Sequence, residues 1–308
     1  MPIIRHLKDF PHEARGGAVA IGNFDGVHRG HQRLVERLLN RAATLPGPAL
    51  VFTFDPHPVR LLRPEQCPPP LTWTRRKAEL LSALDVDLLV AYPTDRRILQ
   101  LTAQEFFDEI VVGKLGARAV VEGPNFHFGR GREGDVRLLG RLASSADITL
   151  DVVEPVVVDG DLVSSSRIRE SIGAGEVAAA RNMLTAPYRI RGMVTHGAGR
   201  GATIGFPTAN LEAVDTLLPK LGVYAGRALT GGEWRRAAIH LGPNPTFGER
   251  RPKVEVHLID SDLALYGQPL EVEFIERLRD VATFDSPERL VAQLESDVLR
   301  VRSLMKAY

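Results

Sequence analysis

The spacing of apolar residues divides the chain into two parts of different character. In the first, short apolar runs alternate with stretches of helical period. Ala18–Ile21 and Leu50–Phe54 predict strands, and Leu34, Val35, Leu38, Leu39 and Ala42 recur at helical spacing between them. Asp87–Ala91, Ala117–Val121 and Ile148–Val153 continue the strands, with helices at Arg75–Leu84 and Asp135–Ser144. Thr102-Ala103-Gln104-Glu105 is a capping box that opens a helix to about Leu115. This alternation predicts an α/β unit, a doubly wound and mostly parallel sheet covered by helices.

From Tyr188 onward the pattern changes. Tyr188–Val194, Val223–Leu229, Arg235–His240, Val254–Ile259 and Leu270–Phe274 are short β-rich runs, punctuated by turns such as Gly231-Gly232 and Gly242-Pro243-Asn244-Pro245. Such spacing predicts a small closed β-barrel. A terminal helix starts with Ser286 as N-cap and Pro287 at its first position, with Leu290, Leu294, Val298, Val301 and Met305 on its apolar face. A further helix is expected from Glu176 to Leu184. The junction falls near Thr185-Ala186-Pro187, so the expected domains are 1–185 and 186–308.

With 44% hydrophobic residues, the chain of 308 can bury two ordinary cores. Its 39 Lys plus Arg nearly cancel 38 Asp plus Glu, which argues against a nucleic-acid coat or a basic membrane anchor. One cysteine, Cys67, cannot build an internal disulfide framework or a cysteine-based metal site. The opening residues lack an apolar signal core and no window reads as a membrane span, so a cytoplasmic protein is expected.

The strongest chemical signal is Gly22-Asn23-Phe24-Asp25-Gly26-Val27-His28-Arg29-Gly30-His31, between the first strand and the first helix. Open α/β sheets bind ligands at that edge, glycines let backbone approach a phosphate, and a helix start offers unpaired N–H groups. His28 and His31 add two imidazoles within one turn, both able to donate to phosphate oxygens. An isolated pair of this spacing is more often a surface pair or half a zinc site; here strand, glycine loop and helix surround it. Downstream, Ser164-Ser165-Ser166-Arg167 opens another helix, where hydroxyls, backbone N–H groups and an arginine fork suit an anion. Alone it would be an ordinary serine N-cap. Gly129-Arg130-Gly131-Arg132-Glu133-Gly134 matches the dinucleotide pattern, but it follows the fourth strand and reads as a loop flanking the site.

These residues resemble the HxGH nucleotidyltransferases, and more narrowly the prokaryotic bifunctional FAD synthetases. Gly22–His31 is similar to their first motif, Phe54-Asp55-Pro56-His57-Pro58 to their second and Gly123-Pro124-Asn125-Phe126-His127-Phe128-Gly129 to their third; Ser164–Arg169 resembles their ATP-phosphate motif. The resemblance implies ATP binding at Gly22, Phe24, Asp25 and Gly26. His28 and His31 would act on the α-phosphate, and Ser164, Ser165, Ser166 and Arg167 on the outgoing pyrophosphate. Pro56, Pro58, Asn125 and Phe128 would lie near the flavin.

The second part carries Gly197, Gly199 and Gly201 in one loop, followed by Pro207-Thr208-Ala209-Asn210. No Walker A sequence is present, so a kinase here must hold ATP differently. The glycine loop can cover phosphates with backbone N–H groups, and Thr208 and Asn210 offer the neutral oxygens that a phosphate-bound Mg²⁺ accepts. Read alone, Pro-Thr-Ala-Asn is more often a turn. Glu255, in an alternating strand, is by default a solvated residue, yet a carboxylate is what a kinase needs as general base.

This part resembles riboflavin kinase. The resemblance implies Gly197, Gly201, Thr208 and Asn210 at Mg-ATP, with Thr208 and Asn210 on the metal. It makes Glu255 the base for the ribityl 5′-hydroxyl, and Arg279 and Phe284 part of a flavin-covering loop, where Val281 replaces a frequent glutamate. The implied function is conversion of riboflavin to FMN and of FMN to FAD, each with Mg-ATP, and the implied partners are these small molecules alone. Three other readings stand beside it: one half alone active, an RNA-binding protein, or a non-catalytic flavin carrier. The last would not need His28, His31 and Glu255 together.

Overall fold

Ala18–Ile21 is buried along its whole length, as a strand covered on both faces must be. In the computed structural model, which describes the chain apart from residues 198, 245–251, 262, 264 and 308, this strand lies inside a parallel sheet. The elements in chain order are β1 (Ile3–Ile4), β2 (Ala18–Ile21), α1 (Arg29–Ala42), β3 (Ala49–Phe54), α2 (Pro58–Leu62), α3 (Thr74–Ser82) and β4 (Leu88–Tyr92). Then follow α4 (Arg96–Gln100), α5 (Ala103–Phe106), β5 (Ala119–Glu122), β6 (His127–Phe128), β7 (Gly134–Asp135), α6 (Val136–Ser145), β8 (Thr149–Val152), β9 (Val157–Val158) and β10 (Asp161–Leu162). The sheet order is β1-β4-β3-β2-β5-β8, and every neighbouring pair is parallel. Successive strands run from β2 to β3 and β4 on one side, then to β5 and β8 on the other. The carboxyl end of β2 is therefore a topological switch point, where such sheets open a crevice.

The helices follow the apolar spacing. On α1, Val35, Leu38 and Ala42 are the buried positions. The predicted capping box at Thr102 forms, but α5 gives way after Phe106 to a π-helical stretch, Phe107–Lys114. β1 was not predicted, because two residues are too few to show a period.

The second unit contains α7 (Ser165–Ala174), α8 (Val177–Met183), β11 (Tyr188–Thr195), α9 (Arg200–Thr203), β12 (Ala209–Glu212), β13 (Gly222–Thr230), β14 (Glu233–Gly242), β15 (Lys253–Leu258), β16 (Pro269–Arg279) and α10 (Pro287–Leu304). The six strands close a barrel in the order β11-β12-β15-β14-β13-β16, antiparallel throughout. β15 alternates strictly, with Val254, Val256 and Leu258 buried and Lys253, Glu255 and His257 half-buried on the opposite face. On the barrel's outer face, Glu273 accepts from Arg189 at 2.6 Å and Arg227 at 2.7 Å, and both guanidiniums lie over the Trp234 ring.

The stretch read alone as a turn, Pro207–Asn210, leads into β12, whose four residues pair with β11 and β15. The compact units are Met1–Pro68 with Trp73–Ser164, and Pro69–Thr72 with Ser165–Tyr308. They divide about twenty residues before the junction read at 185, because α8 packs Val177, Ala180 and Met183 into the barrel unit, against β16 and β11. The part of the Gly-Pro-Asn-Pro-Thr-Phe run from 245 to 247 lies outside the described residues.

Candidate active sites

At the end of β2 the chain turns through Gly22–His28 into α1. Phe24, Gly26 and Val27 all take positive φ, at 47°, 85° and 41°. Only glycine is at ease there, so the loop must be held by packing: Phe24 and Val27 are 2% and 0% exposed. Lys77 on α3 supplies a second hold. Its buried ammonium donates to the Asn23 carbonyl at 2.5 Å and to Thr53 Oγ1 at 3.2 Å. Burial pulls its pKa down, against the opposing charges of Asp25 and Asp55. Lys77 was missed in the sequence, although it shares a helical face with Leu80 and Leu81; a cation on an apolar stripe is the signal that could have found it.

His28 caps α1. Its Nδ1 accepts from the His31 backbone N–H, and His31 Nδ1 accepts from the His28 backbone N–H, each at 3.3 Å. The rings stack with centroids 3.6 Å apart. Burial lowers the His28 pKa to about 4, although Asp25 opposes it. His31 is pushed well below the ordinary value by burial, then by His28 and Lys77. Both rings are therefore neutral at pH 7. Because each Nδ1 accepts, each proton sits on Nε2, and the pair presents two neutral N–H donors. Glu122, at the end of β5, is 3% exposed and accepts from the Ile21 N–H at 2.6 Å, and burial raises its pKa well above the ordinary carboxylate range.

Other expected residues lie as follows. Asp25 is buried and Gly22 half-buried in the same loop. Asp55 accepts from Thr74 Oγ1 at 2.5 Å and Arg5 at 3.1 Å; exposed Pro56 follows it, and Pro58 opens α2. Asn125 is exposed. Phe128, expected beside the flavin, is 6% exposed and packs into the core; Phe126, stacked on it at 5.5 Å, keeps the partly open ring. The Gly129–Gly134 loop is clipped to the start of α5, where Ala103 N–H donates to Glu133 at 2.8 Å, and it does not form a strand-to-helix phosphate turn. Ser164 is the last residue of the first unit, whereas Ser165, Ser166 and Arg167 form the first turn of α7 in the second.

The second site is a cleft between the barrel's outer face and α10. Asn210 pairs directly with Glu255 across β12 and β15, and Glu255 with His240 across β15 and β14, so the three side chains form a row on one face. Asn244 Nδ2 donates to Glu255 Oε2 at 3.0 Å. Thr208 and the glycine turn Gly199–Gly201 line the same cleft. A Cβ on Gly197 would stand 2.1 Å from Asn210 Nδ2, and one on Gly201 2.3 Å from the Phe206 carbonyl, so both positions need glycine for close approach. Phe284, Leu290 and Leu294 make an apolar wall. Arg279 faces the same cleft but holds Asp297 of α10 in a fork, with contacts of 2.7 to 3.1 Å. On the other side of Thr208, Pro207, Leu263 and Tyr266 help to line a second cleft. Asn244, His240 and Asp297 were not singled out in the sequence; each depends on pairing or packing that spacing does not reveal.

A switch-point histidine pair and a barrel cleft built around a carboxylate define a two-site enzyme of phosphate chemistry. The sequence profile of FAD synthetase matches residues 10–167, and that of riboflavin kinase residues 184–305. The chain is 35% identical to the bifunctional riboflavin kinase/FMN adenylyltransferase of Escherichia coli (strain K12), over 97% of this chain and 95% of that protein. It is also 35% identical to the protein of the same name from Pseudomonas fluorescens, over 99% and 98%. A crystal structure described as a macrolide-efflux protein from Streptococcus pneumoniae shares the fold with a TM-score of 0.87 at 31% identity, over 98% of both chains. No described helix here is long and apolar enough to cross a membrane. The chain belongs to the bifunctional riboflavin kinase/FMN adenylyltransferase family.

Proposed function

We infer that the barrel unit phosphorylates riboflavin to FMN and that the α/β unit joins FMN to the AMP moiety of ATP, releasing pyrophosphate and making FAD. The observation that carries this reading is a chemical difference between the two sites. A riboflavin hydroxyl must lose a proton to attack phosphorus, and the barrel cleft holds a carboxylate, Glu255. An FMN phosphate is already anionic and needs no base, and the α/β site offers two neutral donors, the Nε2–H groups of His28 and His31.

In the kinase step, Glu255 takes the 5′-hydroxyl proton as the oxygen attacks the γ-phosphorus and ADP leaves. Phe284, Leu290 and Leu294 suit the flavin ring, and the cleft beyond Thr208 suits adenine, which puts the γ-phosphate near Thr208 and Asn210. Those two neutral oxygens fit a Mg²⁺ that arrives on ATP phosphates rather than one held by protein, and no cluster of three His, Cys, Asp or Glu stands among the described residues. When bound, the ion neutralises phosphate charge. In the transfer step, His28 and His31 stabilise charge growing on the α-phosphate oxygens. We assign the enzyme to the cytoplasm, where ATP is supplied.

Incubation with riboflavin and Mg-ATP, with products separated by chromatography, tests the reading. FMN, FAD, ADP and pyrophosphate are expected. FMN without FAD at excess ATP would remove the adenylyltransferase assignment, and tight RNA binding at physiological salt without flavin products would favour the RNA reading.

A further inference from the structure

We propose that His240 is the positioning residue of the kinase base, acting on Glu255 through Asn244. The inference rests on the reading of Glu255 as that base and adds a group that neither family motif contains.

The geometry is a short chain of contacts. His240 Nε2 lies 3.2 Å from the Pro243 carbonyl. A carbonyl only accepts, so Nε2 carries the ring proton and donates. Pro243 is joined to Asn244, and Asn244 Nδ2 donates to Glu255 Oε2 at 3.0 Å. His240 also stands directly opposite Glu255 in the β14–β15 ladder. The ring therefore fixes the turn after β14 and flanks the carboxylate that the turn secures. A carboxylate bonded on one oxygen has its other oxygen aimed by that bond, which is what proton abstraction at a set distance requires. Gly242 lets the turn form at φ 151°, where a Cβ would collide with Val281 Cγ2 at 2.8 Å.

The charge state agrees. Burial keeps the His240 pKa low, with Glu255 opposing and Arg279 adding to the lowering. Among the described residues, the other charged or titratable groups of the cleft are Lys253 and His257 on β15, Arg200 on α9 and Asp297 on α10, which the Arg279 fork occupies. At neutral pH the ring is thus an uncharged tether. In acid it takes a proton beside Glu255, and an imidazolium there holds the carboxylate in an ion pair and weakens it as a base.

The test uses the whole chain and measures FMN formation, with FAD formation from supplied FMN and thermal melting as controls for folding. At pH 8, His240→Ala and Asn244→Ala should each lower kcat about tenfold, with KM for riboflavin and ATP within about twofold. His240→Asn keeps an amide that can reach Pro243 and should recover most of the rate. Its acid limb should lie at lower pH than that of the natural protein and fall with one proton rather than two. Glu255→Gln, run alongside, separates the two claims. If that variant keeps the full kinase rate, the base reading fails. If it is inert while the His240 variants match the natural protein in kcat and in normalised pH profile, the positioning role is wrong. A loss in FAD formation as large as the loss in FMN formation would also overturn it, since the defect would then be in folding.

Discussion

Lys77 Nζ lies 2.5 Å from the carbonyl oxygen of Asn23, so a buried ammonium on α3 holds the strained loop that begins the α/β site. Lys77→Met keeps length and burial but removes the donor and the counter-charge to Asp25 and Asp55. Leaving buried polar groups unmatched costs about 1–3 kcal/mol. FAD formation from supplied FMN should fall by about tenfold or more, with FMN formation unchanged. Equal rates in variant and natural protein would reduce Lys77 to a packing residue.

His31→Ala removes one donor of the stacked pair and the reciprocal cap on α1. Loss of a single charge-stabilising donor in a water-poor site lowers turnover about 10²–10³-fold. The adenylyl transfer rate should drop by that order while the kinase rate holds. A parallel fall in both reactions would point to misfolding.

The histidine pair also sets a pH dependence of stability. His28 is lowered from 6.5 to about 4, so below pH 6.5 the unfolded chain gains a proton that the folded chain refuses. The stability this group contributes is complete above pH 6.5 and is lost as pH falls towards 4, on the order of 3 kcal/mol in all. His31, lowered further, acts in the same direction. Chemical unfolding of the full chain followed from pH 8 to 4.5 should show the loss, and His28→Asn should flatten its slope. Glu122 runs the opposite way: its raised pKa stabilises in acid and is lost as pH rises through the folded value. Glu122→Gln keeps an acceptor for the Ile21 N–H and should therefore stabilise at pH 8 and not at pH 4.

The barrel unit should carry kinase activity by itself when its packing is complete. A fragment from Ser165 keeps α7 and α8, although it lacks the Pro69–Thr72 segment of the unit, and one from Ala186 also exposes the face that Val177, Ala180 and Met183 cover. The longer fragment should fold and make FMN. The shorter should melt at lower temperature, and equal melting of both would show that α8 adds nothing. If both fold by circular dichroism and neither phosphorylates riboflavin, the two-site reading is wrong.

Much of this protein was determined by local sequence. Strand–helix alternation specified the parallel sheet, because period and length are properties of neighbouring residues. The glycine loop and His28-Arg29-Gly30-His31 were legible because strand, turn and helix start are contiguous, and so were the Thr102 capping box and the Ser286 cap of α10. Tertiary structure decided what depends on distant partners. β12 is four residues long and becomes a strand only through β11 and β15. Phe128 is a core ring because Phe106 and Phe126 pack around it, a fact absent from its motif. Lys77 reaches Asn23 from 54 positions away, and His240 meets Glu255 only through strand register. Glu255 itself reads as a solvated residue in its strand; the cleft under α10, its pairing with Asn210 and the Asn244 bond make it a candidate base, because burial and fixed partners, not residue type, set what a carboxylate can do.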